Sequence, residues 1–258
     1  MNRDRLKKLA SDERFIPGIY NYCDRWCERC PQTSRCLSFS ISEEEFSDPE
    51  TRDIRNQAFW KKLSEILEET FELLKEGAEK WGIELEPVVS TDDLERGKAK
   101  DEAAENHLIC RAAKRYSKMV GDWFGEEEPL LLETAAAARE GVNLEEAVEV
   151  IQWYQHFIFV KLMRAVRGKV EKEDEEEEWK EFPSDSDGSA KIALIAIDRS
   201  IGAWAVIRHY HGDRDESIFD TIGYLDRLRE AAEKTFPRAR SFVRPGFDTI
   251  GQNGPLGA

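Results

Sequence analysis

Apolar residues recur at helical spacing along most of this chain, and nowhere do they alternate convincingly. Between about 49 and 81, Ile54, Phe59, Leu63, Ile66, Thr70, Leu74 and Trp81 share one stripe, while Lys61, Glu65, Glu68, Glu72, Lys75 and Glu79 share the other. That period predicts one long amphipathic helix. Asp48-Pro49 reads as its start, a cap with proline in the first turn, and Gly82 follows its end. A second helix is predicted from Thr91 to about Phe124, with Ala103, Ile109, Ala112, Ala113, Tyr116 and Val120 on its apolar side. A short one follows from Pro129 to Arg139. Asn143 and Glu146 form a capping box that opens a helix over 143–167. This helix and the next, 189–211, are apolar on nearly every side, which predicts central positions. A last helix covers roughly 214–235.

These elements predict an all-α fold: a helical bundle of four main helices, with an N-terminal loop and an extended C-terminal tail. The expected divisions are 1–47, 48–235 and 236–258. Residues 1–14 predict a short helix or loose arm, and Ser42 with Glu45 a capping box for a brief helix. The acidic run 171–181 predicts a solvated connection. Asp185-Ser-Asp187-Gly188 is faintly like a calcium loop but lacks its other ligands, so capping by Asp187 or Ser189 is the preferred reading. Phe242, Val243 and Phe247 predict that the tail docks along the body.

The chemistry is concentrated between 20 and 39. Cys23, Cys27, Cys30 and Cys36, four of the five cysteines, are spaced C-x3-C-x2-C-x5-C. Thiolates are soft donors that suit zinc and iron–sulfur clusters. The rival, a pair of disulfides, belongs to small secreted chains. Here 258 residues supply ample core material, and the start, Met-Asn-Arg-Asp-Arg-Leu-Lys-Lys, lacks the apolar stretch of a signal peptide. A reducing cytoplasmic setting and a bound metal centre are therefore expected. Structural zinc sites usually come as two separated knuckles. One tight run with Cys30-Pro31 suits a [4Fe–4S] cluster better, with Zn2+ as the alternative. Tyr20, Tyr22, Trp26 and Phe39 could shield it. The first three cysteines match radical-SAM spacing, but no α/β barrel follows and Cys36 would close the open iron position.

The formal net charge of −15 repels phosphate backbones, so nucleic acid is not an expected partner. No apolar run is long enough to span a membrane. A redox protein or a basic protein is the expected partner, and the oligomeric state is open. A second candidate site comes from polar residues inside the apolar helices. Glu149, Gln152 and His156 share a stripe, and Asp198 sits in the most apolar run, followed by Gly202, Ala205 and His209. Such groups, if buried, need partners. Glu149, His156 and Asp198 are therefore candidate catalytic residues lining a bundle cavity, against a satisfied structural network. The Glu-x-x-His pairs of di-iron bundles are absent, since Ala and Trp153 stand three before His107 and His156. Cys110, alone, reads as a small buried hydrophobe.

Three segments, Tyr20 to Pro31, Ser184 to Ile195 and Phe242 to Asp248, resemble an uncharacterised group of bacterial all-helical proteins that carry this four-cysteine segment. The resemblance implies a bacterial, cytoplasmic setting and a cysteine segment that acts as a unit. It implies no activity. The residues themselves point to an iron–sulfur redox or electron-transfer protein, the alternative being a zinc-stapled interaction scaffold without catalysis.

Overall fold

The computed structural model describes residues 3–83, 90–137, 144–173, 185–211 and 216–248. Among these residues the regular elements are all helical, and no strand occurs. The chain divides into two compact units, Met1–Asp93 with Arg244–Ala258, and Leu94–Val243. This division differs from the boundaries expected near 47 and 235: the long amphipathic helix goes with the cysteine segment, and so does the end of the tail.

The first unit holds α1 (Arg3–Ala10), α2 (Leu37–Glu45), α3 (Pro49–Arg52) and α4 (Gln57–Trp81). The helix predicted over 49–81 is broken. Asp48 caps α3 by accepting from the Glu50 N–H at 2.8 Å. Asn56 then caps α4 afresh, accepting from Ala58 N–H at 2.9 Å. Gly82 ends α4 in the left-handed region at φ 68°. The Ser42–Glu45 box lies inside α2, whose true cap is Cys36. Arg3 and Lys7 of α1 pair with Glu69 and Glu76 of α4. These pairs are exposed and contribute little each. The predicted apolar stripe of α4 is only half covered. Phe59, Leu63 and Ile66 are partly buried, whereas Leu74 and Trp81 are 61% and 77% exposed.

The second unit holds α5 (Thr91–Asn106, from its fourth residue), α6 (Leu108–Ala137), α7 (Leu144–Glu173), α8 (Asp185–His211) and α9 (Glu216–Thr235). The single helix predicted from 91 to 124 is interrupted at His107, whose Nδ1 accepts from the Ile109 N–H at 3.4 Å and so starts α6. α6 then runs past Phe124 to Ala137. Asn143 and the end of the predicted short helix lie outside the described residues. α8 begins at Asp185, so Asp187 and Ser189 are within it rather than capping it.

α6, α7, α8 and α9 pack in succession, and α9 returns to α6. α8 is the central helix, as its composition predicts. Ala190, Ala193, Leu194, Ile197, Trp204 and Ile207 on it are all but fully buried. Trp204 Nε1 donates to the Tyr116 hydroxyl at 3.0 Å, and Trp123 meets the Trp204 ring edge-on at 4.9 Å between centroids. These rings supply both apolar area and a paired buried polar group. Beyond α9, Phe236 and Ala239 are buried, Arg238 pairs with Asp187 at 3.1 Å, and Lys191 donates to the Phe242 carbonyl. The chain thus follows α8 as far as Val243.

Candidate metal centre

The four clustered cysteines are placed by three short 3-10 turns, Ile19–Tyr22, Cys27–Arg29 and Thr33–Arg35. Each cysteine sits at the edge of a turn. Cys23 follows the first, Cys27 opens the second, Cys30 closes it, and Cys36 closes the third. Three residues separate Cys23 from Cys27, and among them Arg25 is a non-glycine residue at φ 61°. That conformation costs an L-residue on the order of 1–2 kcal/mol. Asp24 braces this stretch by accepting from the Trp26 N–H at 3.2 Å. Arg25 and Arg29 lie over the rings of Tyr20 and Trp26. The Ile16 N–H donates to the Arg35 carbonyl at 3.0 Å and ties the start of the segment to its end.

The result is one pocket that all four thiols line, together with Ile19, Tyr20, Trp26, Gln32, Thr33, Phe39 and Phe247. Asp24 and Arg25 complete its lining. The cavity itself is small, about 20 Å³, and opens partly to solvent. Tyr20, Trp26 and Phe39 stand in the wall as the sequence reading expected, and Tyr22 does not. No disulfide joins the five cysteines. Backbone N–H groups point at two of the sulfurs, Gln32 at Cys30 Sγ (3.4 Å) and Phe39 at Cys36 Sγ (3.5 Å). The second places Cys36 at the N-terminus of α2, where positive partial charge favours an anionic sulfur. The Cys23 thiol donates to the Tyr20 carbonyl at 3.5 Å. Burial pushes the Cys27 thiol up, and negative charge on Cys23, Cys30 and Cys36 pushes it further. All three are thus within electrostatic reach of Cys27.

Whether this set fits a metal group depends on its spread. Among the described residues no group of three or more His, Cys, Asp or Glu is arranged to hold a metal ion. A tetrahedral zinc ion with bonds of about 2.3 Å would draw its sulfurs to roughly 3.8 Å from one another. A polynuclear cluster gives each thiolate a different iron and spaces the sulfurs more widely. Four cysteines line one pocket, and backbone N–H groups meet the sulfurs of Cys30 and Cys36; thiolate is a donor that both zinc and iron–sulfur groups use.

The residues of the second candidate site are not buried as expected. Glu149 and His156 are exposed on α7, and the His156 ring is hydrogen-bonded to Ser117 Oγ at 2.7 Å. Asp198 is half-exposed and paired with Arg240 at 2.6 Å and with Arg229 at 3.6 Å. The premise of buried charge therefore does not hold. α7 turns Gln152, Trp153, His156 and Val160 to solvent, and the partner of Asp198 comes from the tail. His209, Gly202 and Ala205 are exposed as well. Cys110 is fully buried in α6 and its thiol is pushed up to about 12 by burial alone.

Phe247 is the wall residue that the sequence reading did not assign to the cysteines. The only signal available was Arg-Pro-Gly-Phe-Asp itself, a turn sequence carrying one aromatic. No known family model, curated protein or solved structure matches the chain.

Proposed function

We propose that the cysteine lobe binds an iron–sulfur cluster through Cys23, Cys27, Cys30 and Cys36, and that the protein is an electron carrier with the helical bundle of its second unit as scaffold. One observation carries this reading: four cysteines, none in a disulfide, line a single pocket with aromatic side chains in its wall. A cluster held there would accept and release single electrons, and its potential would respond to the surrounding aromatics and to the N–H groups on the sulfurs. The chain's own residues hold the thiols in place, supply those donors and leave the sulfurs half-buried. The partner is a one-electron donor or acceptor protein. The bundle supplies no catalytic constellation to this reading, since Glu149, His156 and Asp198 lie in solvent-facing positions.

Protein purified without oxygen should be brown, with broad visible absorption, and should contain iron and acid-labile sulfide that disappear together in the Cys27→Ser variant. Stoichiometric zinc in a colourless protein overturns the cluster and leaves a zinc-stapled scaffold. No bound metal of any kind overturns both.

A further inference from the structure

We propose that Arg244–Asp248, at the C-terminal end of the described chain, is a strap that closes the thiol pocket, with Phe247 as its seal. Every other wall residue of the pocket comes from the stretch Ile19–Phe39, whereas Phe247 arrives from the far end of the sequence. The strap is a preformed turn. Pro245 restricts one backbone angle, and Arg244 and Asp248 clasp each other through the Arg244 backbone N–H (2.9 Å) and the guanidinium (2.8 Å). Both side chains of the clasp are largely shielded, at 18% and 22% exposure. The same guanidinium lies over the Phe247 ring at 5.1 Å and fixes its direction.

Gly246 makes the docking close. It adopts φ 78°, and a Cβ built on it would stand 2.6 Å from Ile16 Cδ1 and 2.8 Å from Ile19 Cδ1. Ile19 is 1% exposed and is itself part of the pocket wall. The backbone of the strap is thus seated directly on the residues that lead into the first 3-10 turn. A side chain here would have to displace those methyls at a backbone angle that favours glycine. Arg244 onward groups with the cysteine unit and not with the bundle that the preceding residues follow. The chain therefore leaves α8 and spends its next residues on the thiols. A ring at that place narrows the access of water and dissolved reagents to the sulfurs, which remain half-buried. This role rests on the reading of the pocket as a metal–thiolate site, but the thiols can be probed without a metal.

The test uses the full-length protein, Phe247→Ala, Phe247→Leu and a chain ending at Val243. In reduced, metal-stripped samples the rate of reaction with a disulfide reagent such as Ellman's is measured, with far-UV circular dichroism to show that the helices persist. Phe247→Ala and the shortened chain should react about tenfold or more faster than the full-length protein, because local access governs exchange at partly buried thiols. Phe247→Leu, which keeps an apolar plug, should remain within about threefold of the full-length rate. In loaded samples the same order should hold for metal transfer to a chelator. Equal reaction rates in Phe247→Ala and the full-length protein overturn the strap. So does a variant whose helices persist but whose Leu and Ala forms react equally fast. A full-length protein that takes up no metal, yet shows the expected order of thiol rates, overturns the metal reading and leaves the strap standing.

Discussion

Gly246 and Gly82 offer a matched pair from which the cost of tight docking can be isolated. Both have positive φ, 78° and 68°. Alanine at either position suffers the same left-handed backbone penalty, about 1–2 kcal/mol. Their surroundings differ. Nothing lies within 4 Å of a Cβ at Gly82, whereas one at Gly246 meets two isoleucine methyls at 2.6 and 2.8 Å. Overpacking of this kind adds about 1–3 kcal/mol. Gly82→Ala should therefore lose about 1–2 kcal/mol of local stability and Gly246→Ala about 2–5 kcal/mol. The difference amounts to roughly 5- to 150-fold in a local opening equilibrium. Native-state hydrogen exchange reads it directly. The informative amides are Asp248, which donates to the Arg244 carbonyl at 3.1 Å, and Ile83, which donates to the Ala78 carbonyl at 2.8 Å. Protection at Asp248 should fall further in Gly246→Ala than protection at Ile83 falls in Gly82→Ala. A double substitution, Ile16→Val with Ile19→Val, removes both obstructing methyls. In that background Gly246→Ala should cost no more than Gly82→Ala, a coupling that a thermodynamic cycle exposes. Equal losses in the original background, or no relief in the valine background, would refute the argument that the strap is seated on those side chains.

Two further predictions address the second unit. Cys110 has its thiol pushed up to about 12, so at pH 8 it should escape iodoacetamide in native, metal-stripped protein while the other cysteines are labelled, and react fully in urea; labelling of Cys110 under native conditions contradicts its burial. Tyr116 is likewise held protonated to about 12, mainly by burial. Its stabilising contribution is complete below pH 10, the ordinary tyrosine value, and is lost as the pH rises from there to about 12. The loss is on the order of 3 kcal/mol. Tyr116→Phe should abolish that part of the alkaline destabilisation seen in urea titrations. It should also cost about 1–3 kcal/mol at neutral pH, because the Trp204 N–H loses its acceptor. An unchanged slope between pH 10 and 12 would sink this assignment.

The residues explain why some of this molecule was legible in its sequence. Asp48, Asn56 and Gly82 act within a few positions of themselves, through caps and a left-handed turn. A start or stop signal is local, and Asp48 and Gly82 could be read as they stand. The all-helical character follows from period alone, and so does the burial of α8. The cysteine segment could be read for the same reason: four thiols spaced within one short stretch declare themselves without reference to anything distant. Cys36 shows the limit even there. It caps α2 with a sulfur that accepts from the Phe39 N–H, and cysteine is not among the residues that announce a helix start.

What could not be read depends on partners far away in sequence. Asp198 invited a catalytic role only because its counter-ions, Arg229 and Arg240, stand in α9 and beyond it. His156 did so because an almost uniformly apolar helix gives no sign of which side its few polar residues face. Phe247 is the converse case, a residue with no chemistry of its own that gains a role from where it lands. Its neighbours in sequence predict a turn, and a turn can dock anywhere. What fixes it is the fit of a bare glycine backbone against Ile16 and Ile19, a three-body contact between the two ends of the chain that hydrophobic period does not encode. The local part of the site, its donors, is thus written in one segment. The part that controls access to those donors is written in another, and only the fold brings the two together.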